Sequence, residues 1–410
     1  MRELTREETV LLHLLGCSLN PETGQLPDDM LLQTDWKAVM DESAQQAVLL
    51  LAFDTAAAYK KFIPDEVWQV WFQRSSRVLA SNLRVNQSQR ELVGLLDEKG
   101  YPYVILKGEA AAAYYPKPEL RHLGDVDFLI DPEQKDAVER HLTAAGYTGG
   151  MHEHICHVVL KKPGSHLEMH FEIAGIPYGK PGERVREYMA DVLSCAKRAE
   201  SGNGSFCMPD GAHHGLILLL HMQHHMVSEG LGLRHLCDWA AFVNQTWSEP
   251  FWQERLLPLL RQIGLLRYAA VMTRVSADTL GTACPEWAAA EAELCRGVLL
   301  DILAGGNFGC KDAVRSKSGM MISEHGKDGT GHRAVYNLWK TLHASTPDRF
   351  PIVRKVPVLY PILDVYRAGL YMIRTARGKR PSLVKLAPLA QERRSTYQQL
   401  RIFETDETGD

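Results

Sequence analysis

The chain has 410 residues, 45% hydrophobic and 23% charged, with a formal net charge of −4 and a pI near 6.5. This excludes a mainly disordered chain, a collagen-like repeat, a coiled-coil rod and a polycation built to coat nucleic acid. At roughly 150 residues per domain, the length suits two or three domains with a large core that needs no covalent staples.

The eight cysteines include no CxxC pair and are too sparse for a disulfide scaffold, so they read as reduced, cytoplasmic thiols. The first twenty residues have acidic flanks and no small-residue cleavage site, which reads as a helix and not a signal peptide. No apolar run reaches about 18 residues, so no transmembrane span is expected.

Residues 1–98 carry helical periodicity, with Val70, Phe72, Val78, Leu79 and Leu83 at three- and four-residue spacing. Ser81–Lys99 reads as an amphipathic helix stopped by Gly100. The texture then changes. Tyr103–Lys107 is strand-like, Gly108 breaks it, and Glu109–Tyr115 is alanine-rich and helical. Gly124–Ile130 is a second strand, followed by Pro132 and a helix from Glu133 to Ala145. Ile155–Lys161 and His166–Ile173 are two further strands joined by the turn signal Lys162-Pro-Gly-Ser165. Residues 176–210 give no clear assignment, 211–300 return to helix, 304–335 read as a long loop, and 336–410 as helical with a frayed end. The division this suggests is 1–98 (helical), 99–176 (a small α/β core), 177–310 (helical) and 311–410 (loop and tail). The fold class is α+β, a small mixed sheet flanked by N-terminal helices and a C-terminal helical domain.

Charge is uneven. Residues 351–401 hold eleven Lys and Arg against Asp364 and Glu392, which leaves +9 there and −13 on the remainder. Such a tail suits RNA, anionic lipid or docking on the acidic rest of the chain.

The chemistry concentrates in Leu123-Gly-Asp-Val-Asp-Phe-Leu-Ile130. On a strand, Asp125 and Asp127 would project from one face with Cβ atoms about 7 Å apart, and paired carboxylates hold hard divalent cations such as Mg²⁺. In His166-Leu-Glu-Met-His-Phe-Glu-Ile173, Glu168, His170 and Glu172 share one face and Leu167, Met169, Phe171 and Ile173 the other. If this strand lies beside the first, Glu168 completes a site for phosphoryl or nucleotidyl transfer, in which metal neutralises developing charge. The break at Lys107-Gly108 supplies a turn where backbone can approach a phosphate, ahead of a helix N-terminus.

These residues resemble the uncharacterised nucleotidyltransferase family of the DNA polymerase β-like superfamily, the minimal nucleotidyltransferases among its relatives. Leu106-Lys-Gly108 matches the family's first motif, Asp125 and Asp127 its acid pair, Glu168 its third acid, and Arg121 the basic residue ahead of the pair. The likeness is good over 100–175 and looser over 30–310. It implies a nucleotidyltransferase-type sheet and Mg²⁺ on Asp125, Asp127 and Glu168, in a two-metal site. Lys107, Gly108 and Arg121 would sit around a nucleoside triphosphate such as ATP. A nucleoside monophosphate would pass to an unknown small-molecule, protein or RNA acceptor, releasing pyrophosphate. Two departures stand out. Glu109 occupies a position where Ser or Gly is usual, and the third acid is Glu, with Glu172 as the fallback.

The alternatives are a catalytically degenerate nucleotide-binding or regulatory protein, favoured by Glu109, and an RNA-directed, tRNA-end enzyme, favoured by the basic tail. His221 and His225, four apart on one helix face, have a spacing that can hold Zn²⁺. The run has no His-Glu-x-x-His, and the plainer reading is histidines packed between helices or lining a cleft. Asp238 is expected to pair with Arg234 at i, i+4, and Gly305–Gly309 to form a plain loop or helix cap.

Overall fold

The computed structural model describes residues 2–21, 23–149, 156–177, 179–202, 204–311, 343, 346, 350, 352–376 and 397–404. Five helices come first: α1 (Arg6–Leu19), α2 (Asp28–Leu32), α3 (Trp36–Gln45), α4 (Leu49–Ala56) and α5 (Asp65–Lys99). A reciprocal Thr5–Glu8 capping box starts α1, satisfying amides that have no partner within the helix. α1 packs against α3, α4 and a much later helix, α12 (Leu266–Leu280). Asn20 donates to the Gly281 carbonyl at 2.9 Å, holding the two helix ends together.

α5 runs 35 residues, further back than the expected start at Ser81, and ends at Gly100 with φ +67°, a left-handed cap that suits glycine. The periodicity that announces it lies on its outer side: Val70, Phe72, Leu79 and Leu83 are 40–57% exposed. Its buried stripe is instead small and polar over much of its length, with Ser75, Asn82, Asn86, Ser88 and Gln89. Hydrogen bonds compensate the burial of Asn82, Ser88 and Gln89, while Ser75 Oγ and Asn86 Oδ1 find no partner among the described residues. Asn82 donates to the Arg121 carbonyl at 2.8 Å and accepts from the Leu123 amide at 2.9 Å, fixing the approach to the acid pair.

The sheet has the order β1-β2-β5-β4-β3, with β1 (Tyr103–Ile105), β2 (Val126–Ile130), β3 (Thr148–Gly149), β4 (His157–Lys162) and β5 (Ser165–His170). β2 and β5 are parallel and every other pair is antiparallel, so the sheet is mixed. The helix α6 (Glu109–Ala112) follows β1, and α7 (Lys135–Ala144) follows β2 on the way to β5. Alternation sets the two faces. Val126, Phe128, Ile130, Leu167 and Met169 pack with Leu92 and Leu96 of α5 and Val138 and Leu142 of α7 in one apolar core. Asp127, Glu168 and His170 take the opposite face. Val104, Leu106 and Leu129 join a larger core that unites the N-terminal helices with those after the sheet.

Across the unassigned stretch 176–210 the chain forms α8 (Lys180–Met189) and a hairpin of β6 (Lys197–Ser201) and β7 (Gly204–Met208). Then come α9 (Gly211–Val227), α10 (Leu233–Thr246), α11 (Leu257–Gln262), α12 and α13 (Ala292–Gly305). A later helix spans Tyr360–Ala376. Most of the expected 304–335 loop and the basic residues from 377 to 394 lie outside the described residues. Among the described residues, no helix is long and apolar enough to cross a membrane. All eight cysteines are free.

Candidate active site

The parallel register sets Asp127 directly beside Glu168, because β2 and β5 pair Val126 with Leu167 and Phe128 with Met169. Asp125 lies one residue before β2 begins, so it reaches the site from the incoming loop and not from the strand expected over 124–130. β5 ends at His170, and Glu172, the fallback third acid, falls beyond it and pairs with Arg186 at 2.6 Å. The strand therefore selects Glu168.

A cavity of about 370 Å³ opens over this end of the sheet. Its sheet side carries Lys107, Gly108, Gly124, Asp125, Asp127 and Glu168, with Arg121 at the edge. Its helical side carries His221, His225, Glu229, Arg234 and Phe308.

The electrostatics centre on Asp127. Lys107 Nζ lies 2.7 Å from its Oδ1, and His170 Nε2 donates to the same atom at 3.1 Å. Burial alone would raise the Asp127 carboxyl, but Lys107 and His170 outweigh it and hold the group well below the usual carboxylate range. His170 Nε2 also lies 3.6 Å from Glu168 Oε2. Burial works against its charge, yet hydrogen bonds to Asp127, Cys156 and Glu168 push the imidazole up to about 10. Glu168, in turn, is lowered: burial opposes its ionisation, and the His170 hydrogen bond wins. Among the described residues, Asp125 has no such cation in contact. Burial first, then the charges of Asp127 and Glu168, push it up.

These acids can share a cation. One oxygen or nitrogen each from Asp127, Glu168 and His170 lies within 4.8 Å of the others, and so does one each from Asp125, His166 and Glu168. An oxygen-rich, negatively charged donor set of this kind fits a hard divalent ion.

Gly108 takes φ +60° and ψ −118°, a conformation suited to glycine, and turns the chain sharply out of β1. The helix after it, α6, has only four residues and not the seven expected, so it contributes little macrodipole toward a phosphate. His214 fixes this turn from behind, its Nε2 donating to the Leu106 carbonyl at 3.1 Å.

Arg121 Nε and Nη2 each donate to Asp238 at 2.7 Å, and its Nη1 donates to the His122 carbonyl at 3.2 Å. Tyr115 Oη completes the cluster, donating to Asp238 at 2.6 Å. Arg121 thus lies buried at the cavity edge with its guanidinium paired to Asp238. The same bonds correct the expected Asp238–Arg234 pair. Arg234 has a buried Nε with no hydrogen-bond partner among the described residues, and its guanidinium stands 5.2 Å from the Phe308 ring centre. Burial, then the neighbouring Arg121 charge, lowers it from its ordinary value.

Glu109 points away from the cavity. Its carboxylate accepts from Gln89 at 2.7 Å and from Ser201 at 3.4 Å, on the α5 side of the sheet. The repulsion that its position suggests is thus absent.

The histidines divide. His213 is structural: it lies 2.8 Å from Asp210, 2.9 Å from Asp191 and 3.1 Å from the Tyr188 carbonyl. His221, His225 and His235 cluster on the cavity's helical side. Burial holds His221 and His235 well below the ordinary histidine value.

Three contributors had roles the sequence did not disclose. His170 was visible in the alternation with Glu168, but its bond to Asp127 depends on strand pairing. Arg234 and Phe308 reach the cavity only through tertiary packing, and no local pattern marks them. Phe308 adopts φ +55° at the mouth, and Gly306 caps α13 by donating its amide to the Ile302 carbonyl at 3.1 Å, the expected helix cap.

No curated protein and no solved structure matches the chain. The family model described as uncharacterised nucleotidyltransferase matches residues 33–281, which takes in the sheet, both motif segments and α9–α12. The carboxylates, the glycine turn and this match agree, and the chain belongs to the uncharacterised nucleotidyltransferase family.

Proposed function

We propose that this protein is an Mg²⁺-dependent enzyme that moves a nucleoside monophosphate from a nucleoside triphosphate such as ATP to an acceptor hydroxyl or similar group. The observation that carries the reading is the Asp127–Glu168 register pair, with Asp125 and the Lys107-Gly108 turn on the same cavity. Family membership supports nucleotidyl transfer as the general activity.

Asp125, Asp127 and Glu168 would hold the metal. When bound, Mg²⁺ supplies neutralisation of the triphosphate and of the charge that develops on it. Gly108 lets the backbone approach the phosphates, and Lys107 supplies a cation at the same turn. His170, charged and buried, keeps Asp127 ionised and oriented. The acceptor oxygen forms a bond to the α-phosphorus, the bond to the pyrophosphate oxygen breaks, and the acceptor's proton passes to solvent. The cavity's helical side, with Arg234 and Phe308, bounds the space left for base or acceptor. The placement of Glu109 removes the feature that favoured a degenerate fold.

The test is calorimetry with ATP, GTP, CTP and UTP, with and without Mg²⁺, on the wild type and on Asp125→Asn/Asp127→Asn. Metal-dependent binding of one or more nucleotides, lost in the double variant, is expected. Loss of several kcal/mol of metal assistance should also slow pyrophosphate release by roughly a thousandfold. Binding that ignores both Mg²⁺ and the double substitution would overturn the proposal.

A further inference from the structure

The helical side of the cavity carries a second, chemically different cluster. His221 and His225 come from successive turns of α9, and His235 from the first turn of α10. One ring nitrogen from each lies within 4.8 Å of the other two. The ring centres are 4.3 Å apart for His221–His225 and 5.3 Å for each of the other pairs.

Two further observations point to a ligand. His235 Nε2 is buried with no hydrogen-bond partner among the described residues, in a residue only 2% exposed. An orphaned buried nitrogen is costly unless something occupies it. The Gly232 amide donates to His235 Nδ1 at 3.4 Å, so Nε2 carries the proton in the metal-free ring, and a cation binds there only as that long bond gives way and the proton leaves Nε2. His225 Nδ1 makes no hydrogen bond among the described residues, but Glu229 Oε2 stands 3.6 Å from it, on hand to orient the imidazole from behind if its other nitrogen binds metal. Phe308 closes one side, its ring centre 4.7 Å from that of His225 and 5.5 Å from that of His235.

We propose that His221, His225 and His235 form a nitrogen-donor site for a zinc-class divalent cation, separate in ligands and in chemistry from the carboxylate site across the same cavity. Three imidazoles suit Zn²⁺ and its first-row neighbours, whereas Mg²⁺ selects oxygen. Tetrahedral zinc needs nitrogens about 3.3 Å apart, so the rings close by an ångström or so. His221 and His225 line the cavity, so the fourth position opens into it. That position takes water, or an oxygen or sulfur of the acceptor. Lys107 and Arg234 face the same space and oppose a cation, while Glu229 and the acids across the cavity favour one. The site stands on its own geometry and does not depend on nucleotidyl transfer.

The full chain would be stripped with chelator and titrated with Co²⁺ in excess Mg²⁺, which keeps the carboxylates occupied. One equivalent of Co²⁺ with the visible d–d absorption of a tetrahedral nitrogen site is expected, displaced by one equivalent of Zn²⁺. His225→Gln and His235→Gln should each weaken Co²⁺ binding by more than about 100-fold, beyond what outer-shell changes cost. Asp125→Asn/Asp127→Asn should leave the spectrum unchanged. No d–d band from the folded wild type overturns the site, and so does an unaltered band in either histidine variant. If His235→Gln fails to fold by circular dichroism, His221→Gln, at a half-buried position, takes its place.

Discussion

Arg121 separates a residue that builds the site from one that touches substrate. Arg121→Met removes two bonds to Asp238 at 2.7 Å and one to the His122 carbonyl at 3.2 Å. Asp238 is 4% exposed and keeps only the Tyr115 hydroxyl at 2.6 Å among these partners. A hydrogen bond to a charged group is worth about 1.5–3 kcal/mol, and removing one partner of a buried ion pair costs about 3–5 kcal/mol. The larger range applies here, because the remaining carboxylate cannot reach water. Against a typical stability of about 5–15 kcal/mol, that loss is severe. Urea denaturation followed by circular dichroism should show a lower midpoint with an unchanged slope. Adding Asp238→Leu removes the stranded charge, and most of the lost stability should return. The reasoning fails if Arg121→Met unfolds within about 0.5 kcal/mol of the wild type while its nucleotide affinity collapses. The guanidinium would then act on the triphosphate and not on the fold.

Other expectations follow from single contacts. A Cβ at Gly108 would meet only the Asp125 carbonyl, at 3.9 Å, so the strain in Gly108→Ala comes from φ +60° and not from crowding. Roughly 1–3 kcal/mol of backbone strain should pull Lys107 off its line and weaken nucleotide binding about tenfold or more by calorimetry. Glu109→Ala should leave nucleotide affinity unchanged while costing about 1–3 kcal/mol in a thermal melt, because the Gln89 donor loses its buried partner. Asp210 caps α9 through the His213 amide and binds Arg255 at 2.8 Å. Burial opposes its charge, but His213 and Arg255 hold it well below its ordinary 3.8, so its stabilisation is lost as pH falls through that lowered value. His213 is raised above 6.5 by Asp210 despite burial, so its share is lost as pH climbs past that point. Melting temperature should therefore be highest between these limits. Asp210→Ala should flatten both limbs and remove about 1–2 kcal/mol through the lost cap alone. Equal pH dependence in wild type and variant would contradict this.

Short-range chemistry was the legible part. Strand alternation placed Glu168 and His170 on one face, and the Lys107-Gly108 break marked the turn, because both follow from local backbone geometry. Arg121 shows where such reading stops. Its partner lies 117 positions away, and nothing near either residue distinguishes a strut from an anion ligand. The same holds for α5, whose visible apolar repeat faces outward while a polar stripe turns inward to hold Arg121 and Glu109 in place. In the β6–β7 hairpin the turn signal Gly202-Asn-Gly204 lies between two runs too short and polar to stand out as strands. The cavity's helical side, built by α9, α10 and the Phe308 loop, depends wholly on how helices pack.

The contact between α1 and α12 sets an order of events during synthesis. Gly16 packs against the end of α12, where a Cβ would meet the Leu280 carbonyl oxygen in ordinary contact at 3.5 Å, yet about 250 residues separate the two helices. A ribosome adding roughly 5–20 residues per second needs tens of seconds to bridge that gap. Throughout that interval Val10, Leu11, Leu14 and Leu15, all fully buried in the finished protein, lack the surface that α12 provides. The nascent N-terminal helices are thus a ready ligand for a holdase, and slowing elongation should lengthen chaperone occupancy there before any later segment engages.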